Sequence, residues 1–140
     1  MQNKLINLNE KIFLAGSNGM AGSAIYRKLL ENNYGKKEFG GKIFTPTRKE
    51  LNLLNYLETE EWFAHNKPTV VIIAAAKVGG ILANASKPAD FLLENLKIQT
   101  NIIDIAWKQN IKRLLFLGSS CIYPKFSKQP IDESELLTGT

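Results

Sequence analysis

Cysteine is almost missing from this chain of 140 residues, and the one copy, Cys121, can form no intrachain disulfide. A reducing compartment, and so a cytoplasmic location, is the expectation. Histidine is equally scarce: His65 is alone, falls near the end of a predicted helix, and has no companion with which to hold a metal. It reads as a surface or capping residue, and no metal is expected. Long apolar runs are also lacking. The longest, Val70 to Ala76, is seven residues, against the roughly 20 that a membrane-spanning helix needs. The opening "MQNKLINLNE" has neither an apolar stretch nor a small-residue cleavage site, so it does not read as a secretory signal.

What is present is the composition of one globular domain, with 44% hydrophobic and 22% charged residues. A formal net charge of +5 invites a polyanionic partner: nucleic acid, anionic lipid or a phosphate-rich cofactor. The placement of the cations decides among them. Arg27 and Lys28 fall on a predicted helix, Lys36 and Lys37 just after it, and Lys108, Lys112 and Arg113 around the end of another. Cations there complement the helix dipole. No basic run is interleaved with aromatics, which argues against nucleic acid.

Along the chain, Lys11 to Ala15 is a short β-prone run ending in glycine, and "MAGSAIYRKLLENN" after it carries Ile25, Leu29 and Leu30 near helical spacing. Residues 34 to 41 read as a loop, Lys42 to Thr45 as a second strand stopped by Pro46. Tyr56 to Asn66 reads as a helix with Asn55 as N-cap and Pro68 beyond its end. Thr69 to Ala75 is apolar without alternation, which marks a strand buried on both faces at the centre of a parallel sheet. Pro88 to Asn110 holds Phe91, Leu92, Asn95, Ile98, Ile102, Ile105 and Ala106 close to a helical period. Lys112 to Leu117 makes the last strand, followed by loop and a turn at Glu133 to Leu137. Strands alternating with helices predict an α/β fold, a Rossmann-type doubly wound parallel sheet. Right-handed crossovers are expected to stack the strands in the order 3-2-1-4.

Directly after the first strand comes "GSNGMAG", which spaces Gly16, Gly19 and Gly22 as G-x-x-G-x-x-G. Such a turn lets backbone approach a pyrophosphate and packs the helix tightly on the sheet, while the helix N-terminus offers N-H groups to the phosphates. Strand, glycines and helix in that order predict dinucleotide binding. A fold that takes NAD places an acid at the tip of the second strand for the ribose 2′-hydroxyl. Here the tip reads "FTPTRKE", and Thr45, Thr47 and Arg48 suit the 2′-phosphate of NADP. Glu50 leaves NAD open. Ala74, Ala75 and Ala76 are small enough to admit a cofactor along the third strand's end, although core packing explains them equally well. Lys77 faces substrate or solvent.

Taken together, "ELNLLN", "AAAKVGGI", "PADF", "NII", "LLFLGSSCIYPK", "QPI" and "ESELLTGT" resemble the N-terminal half of the GDP-L-fucose synthase family, extended short-chain dehydrogenases/reductases. The resemblance implies a Rossmann domain carrying NADP over residues 11–140, preceded by an extension at 1–10. It implies a homodimer when complete, or a complementary C-terminal polypeptide, and a GDP-sugar substrate. The reaction implied is epimerisation at C3 and C5 of GDP-4-keto-6-deoxy-D-mannose, then reduction at C4. The cofactor is expected on Gly16, Ser17, Asn18, Gly19, Met20, Ala21 and Gly22, on Arg48 and Leu53, on Ala74 to Ala76, and on Leu117, Gly118, Ser119 and Ser120. The substrate is expected on Val78, Gly79, Ser119, Ser120 and Cys121. Cys121 resembles the family's acid/base cysteine, which works with a histidine later in the chain, and Ser119 the serine that hydrogen-bonds the C4 oxygen.

Two departures stand out. Many members have His-Arg inside the glycine loop where this chain has Ser17 and Asn18, so NADP preference rests more heavily on Arg48. The family's Tyr-x-x-x-Lys pair, its later histidine and its GDP-sugar domain are expected beyond Thr140, and Tyr123 is not that tyrosine, since no lysine stands four residues on. These 140 residues are therefore expected not to catalyse the reaction alone. Rival readings are another extended-family enzyme, such as a UDP-sugar 4-epimerase with bound NAD, and a non-catalytic nucleotide-binding module.

Overall fold

The protein is described by a computed structural model over residues 6–77 and 86–139. Its elements run β1 (Lys11–Ala15), α1 (Met20–Glu31), β2 (Lys42–Phe44), α2 (Tyr56–Asn66), β3 (Val70–Ile73), α3 (Pro88–Lys108) and β4 (Arg113–Phe116). Single 3-10 turns lie at Lys37–Phe39, Ser120–Ile122 and Glu133–Glu135. The ends of the elements follow local chemistry. The Asn55 side chain accepts from the Glu58 N-H to cap α2, and Lys67 closes that helix in the left-handed region just before Pro68. Pro88 sits in the first turn of α3, where its missing N-H costs nothing.

All pairings are parallel and the order is β2-β1-β3-β4, not the expected 3-2-1-4. Right-handedness ties the direction of each crossover to the face its helix covers, but leaves the direction free. Here α1 covers one face and α2 with α3 the other, so the chain steps one way from β1 to β2 and then back past β1 to β3. Alternate side chains show it. Ile12, Leu14, Val70 and Ile72 pack with Ile25, Tyr26 and Leu29 of α1. Phe13, Ala15, Val71 and Ile73 pack with Phe63 of α2 and with Ile102, Ile105 and Ala106 of α3. β1 and β3, covered on both faces, are the apolar runs without alternation.

On the second face the core is aromatic. Phe13 and Phe63 meet edge-on at 4.8 Å, and Trp62 stands 5.2 Å from both Phe13 and Phe44. Around it, α2 and α3 are joined by polar contacts: the Tyr56 hydroxyl donates to Asp104 Oδ2 at 2.6 Å, and Lys108 Nζ donates to that hydroxyl at 2.8 Å. Ile6, ahead of β1, also belongs to the body: it packs with the core under α1, and its carbonyl accepts from the Tyr34 hydroxyl at 2.8 Å.

At the other margin the cover is thin. Leu114, Leu115 and Phe116 of β4 are exposed, as are Leu92, Leu93, Leu96, Ile103 and Trp107 of α3. Among the described residues β4 pairs only with β3, which leaves its outer edge open. No described helix is long and apolar enough to cross a membrane.

Two outcomes follow from this packing. Phe63→Ala, emptying a fully buried site, should lower unfolding free energy by about 3–5 kcal/mol in denaturant titration, against about 0.5 or less for the exposed Leu57→Ala. The Tyr56 hydrogen bond, followed by that of Lys108, holds the Asp104 carboxyl below its ordinary value. Its contribution is therefore present above about pH 4 and lost as pH falls through the lowered value. The stability gap between wild type and Asp104→Asn should close on acidification.

Candidate functional site

The site begins where β1 ends. Gly16 takes φ +84°, a left-handed value, and a Cβ there would lie 2.6 Å from the Ala74 carbonyl oxygen. Only glycine turns the chain this close to the end of β3. Gly22, buried on α1, has the same role against the loop itself, since its Cβ would fall 2.0 Å from the Gly16 oxygen. Gly19 differs. It is the N-cap of α1 with ordinary extended dihedrals, and a Cβ would meet nothing nearer than 3.4 Å. Its missing side chain therefore serves space outside the loop, not packing within it. The helix start carries no side-chain cap and no acid in its first turn, which leaves its N-H groups and dipole to an anion.

These residues form one wall of a cleft of about 280 Å³. Gly16, Ser17, Asn18 and Gly19 face Ala74, Ala75 and Ala76 at the tip of β3, and Leu53 and Ile98 supply apolar lining. Thr47 and Arg48 close the end beyond β2. Glu50 is engaged elsewhere: its carboxylate accepts from the Thr47 backbone N-H at 2.7 Å, and hydrogen bonds from Thr47 hold its carboxyl below the usual value. Beside these residues Asn95 of α3 holds the Lys77 backbone from both sides, accepting its N-H at 2.6 Å and donating to its carbonyl at 3.0 Å. Lys77 Nζ pairs with Glu94, whose other oxygen lies 3.6 Å from Arg48.

A second group stands past β4. Leu117 N-H continues the ladder to the Ile73 carbonyl at 3.0 Å, and Gly118 then leads into the turn at Ser120–Ile122. Ser119 caps that turn, its Oγ accepting from Cys121 N-H at 3.2 Å. Among the described residues the Ser119 hydroxyl donates to no acceptor, which leaves its proton to another. Cys121 is a free, exposed thiol.

Residues 12–140 match the model of the NAD dependent epimerase/dehydratase family. The chain belongs to that family. Among its relatives, GDP-L-fucose synthase 1 of Arabidopsis thaliana is 52% identical over 93% of this chain and 38% of its own length. GDP-L-fucose synthase of Escherichia coli K12 is 50% identical over 94% of this chain and 39% of its own. The chain thus spans about two fifths of the relatives it matches. A solved GDP-mannoheptose C4 reductase from Campylobacter jejuni with NADP bound superposes with a TM-score of 0.83 at 35% identity, over 96% of this chain and 40% of that one.

With that family in view, the expected residues fall into groups. The glycine turn, Arg48, Leu53 and the three alanines line one cleft, apart from Gly22, which is packed beneath the turn, and Met20 and Ala21, which begin α1. Ser119, Ser120 and Cys121 share the turn after β4. Val78 and Gly79 lie outside the described residues. Lys77 lines the cleft, and its ammonium pairs there with Glu94. His65 is exposed in the last turn of α2, as expected. Glu94 and Asn95 were missed as site residues, because only the return of β3 beside β1 brings the middle of α3 to this rim.

The two kinds of glycine are separable. Gly22→Ala should destabilise the protein by about 1–3 kcal/mol in denaturant titration, since backbone must move to admit the methyl. Gly19→Ala should cost less than about 1 kcal/mol.

Proposed function

We propose that this chain is the NADP-binding Rossmann part, residues 11–140, of a GDP-L-fucose synthase, which epimerises GDP-4-keto-6-deoxy-D-mannose at C3 and C5 and reduces it at C4. The observation that carries the reading is the identity of 50–52% to synthases of that name from a bacterium and a plant. The cleft fits the cofactor. Gly16 and Gly22 tolerate no Cβ, Gly19 leaves open space that suits a pyrophosphate, and Arg48, unlike Glu50, lines the cleft, which suits a 2′-phosphate. NADP rather than NAD is thus the reading for this member, supported by the NADP-bound C4 reductase.

The cofactor supplies hydride when bound. The chain's own residues handle protons. A hydrogen on a carbon beside the C4 ketone is acidic because the electron pair left behind delocalises onto the oxygen. Cys121 as thiolate takes that proton and forms S-H, while the C-H pair moves to the C4 oxygen as an enolate. Ser119, its oxygen already accepting from Cys121 N-H, keeps its O-H to donate to that enolate. Return of a proton from the other face inverts the carbon, and in the family a histidine further along supplies it. The exposed apolar faces of β4 and α3 suit cover by a complementary C-terminal polypeptide or a second copy in a homodimer. A cytoplasmic location fits the lone free thiol.

The test is NADPH oxidation by the full-length protein with GDP-4-keto-6-deoxy-D-mannose and, separately, with a GDP-4-keto-heptose. Turnover with the first is expected, and turnover confined to the second would replace the reading by a heptose reductase. Cys121→Ser should bind cofactor as wild type does but slow deuterium uptake at C3 and C5 by about 10²-fold or more, a hydroxyl being a far weaker acid than a thiol. Uptake at the wild-type rate would assign the proton transfer to another group.

A further inference from the structure

Two cations from different strand tips converge on one acid. Arg48, beyond β2, and Lys77, beyond β3, both reach Glu94 on α3 at the rim of the cleft. We infer that Glu94 is a specificity-determining residue whose negative charge opposes a 2′-phosphate at Arg48 and so holds down the preference for NADP over NAD. The inference rests on the reading of Arg48 as the 2′-phosphate ligand.

Glu94 can act on Arg48 by orienting it or by opposing its ligand, and the geometry separates these. The contact to Arg48 is 3.6 Å long and the Arg48 side chain is 76% exposed. Such a pair orients little, because exposed ion pairs contribute about 1 kcal/mol or less. Lys77, by contrast, anchors Glu94 firmly. The Lys77 backbone is clamped by Asn95, its ammonium reaches the carboxylate, and the Glu94 side chain is only 26% exposed. That hydrogen bond first, with the charges of Lys77, Arg48 and Lys97 after it, holds the Glu94 carboxyl below its ordinary value. The carboxylate therefore stays ionised near neutral pH.

A 2′-phosphate of about −1.5 to −2 charge brought to Arg48 is brought towards Glu94 as well. The ribose of NAD has a neutral hydroxyl at that position and meets no such repulsion. Removing the charge while keeping the shape should then favour one cofactor alone, by a factor on the order of three to ten for a partly screened pair.

The experiment is calorimetric titration of the full-length protein with NADP, NAD and 2′-AMP, the last a probe of the phosphate alone. Glu94→Gln should tighten NADP and 2′-AMP about three- to tenfold and leave NAD within about twofold. Glu94→Asp, which keeps the charge, should stay within about twofold of wild type for all three. Unchanged or weaker NADP binding in Glu94→Gln, or an equal gain in Glu94→Asp, would overturn the inference. A selective loss of NAD affinity would also overturn it, by making Glu94 a ribose-holding acid. Arg48→Ala tests the underlying reading separately: a loss confined to NADP and 2′-AMP upholds it, and an equal loss for NADP and NAD removes it whatever Glu94→Gln does.

Discussion

No methyl group fits between Gly16 and the end of β3, and the rest of the site depends on that contact. A side chain at Gly16 would collide with backbone at Ala74 and Ala75, and one at Gly22 with the Gly16 carbonyl. Backbone cannot yield as a flexible side chain can, so the loop, the start of α1 and the tip of β3 sit in one fixed relation. The start of α1 is thereby held over the gap where the chain reverses direction between β1 and β3. Open α/β sheets bind ligands at such a reversal, because the helices leaving the two strands lie on opposite faces and part there.

The reversal also explains how burial is distributed. β1 and β3 are sandwiched between α1 on one side and α2 with α3 on the other, and the residues of β3 are buried along its whole length. β2 and β4 are the two margins, and they differ. β2 is three residues long and Phe44 is sealed by Trp62. β4 keeps apolar side chains in the open beside an uncovered stretch of α3. Patches of that kind mark surfaces that meet other protein.

Much of the fold is legible in the residues because its signals are local. Asn55 before an acidic first turn announces the start of α2, Pro68 its end, and an apolar run without alternation announces β3. Strand order is not local. The expected 3-2-1-4 put β3 at an edge, against its own composition, and the fully apolar "VVII" was the better guide to a central place. The glycine turn was legible as a motif, yet the division of labour among its glycines was not. That division depends on what stands 2 to 3 Å from an absent Cβ. Glu94 had no signal either, since on a helix of strong apolar period a single acid reads as a solvated position.

The two chemical groups are built by different means, and this bears on how each can vary. One wall of the cleft is built from backbone and small residues: glycines without Cβ, alanines at a strand tip, and a lysine whose main chain is clamped by Asn95. The contacts of Gly16 and Gly22 are with backbone and do not depend on the facing side chains, so on the proposed reading cofactor selectivity falls to the charges at the rim. Arg48 is exposed there, and Glu94 is the acid that faces it. The turn after β4 has the opposite construction. Ser119, Ser120 and Cys121 are exposed, and apart from the ladder bond at Leu117 the hydrogen bonds of that turn are, among the described residues, local to it. A proton-transfer site needs its groups held against substrate to within a fraction of an ångström. On the proposed reading of Cys121, rigidity of that order would have to come from cover over the open side of β4, which would make cover of that face and proton transfer at Cys121 coupled requirements.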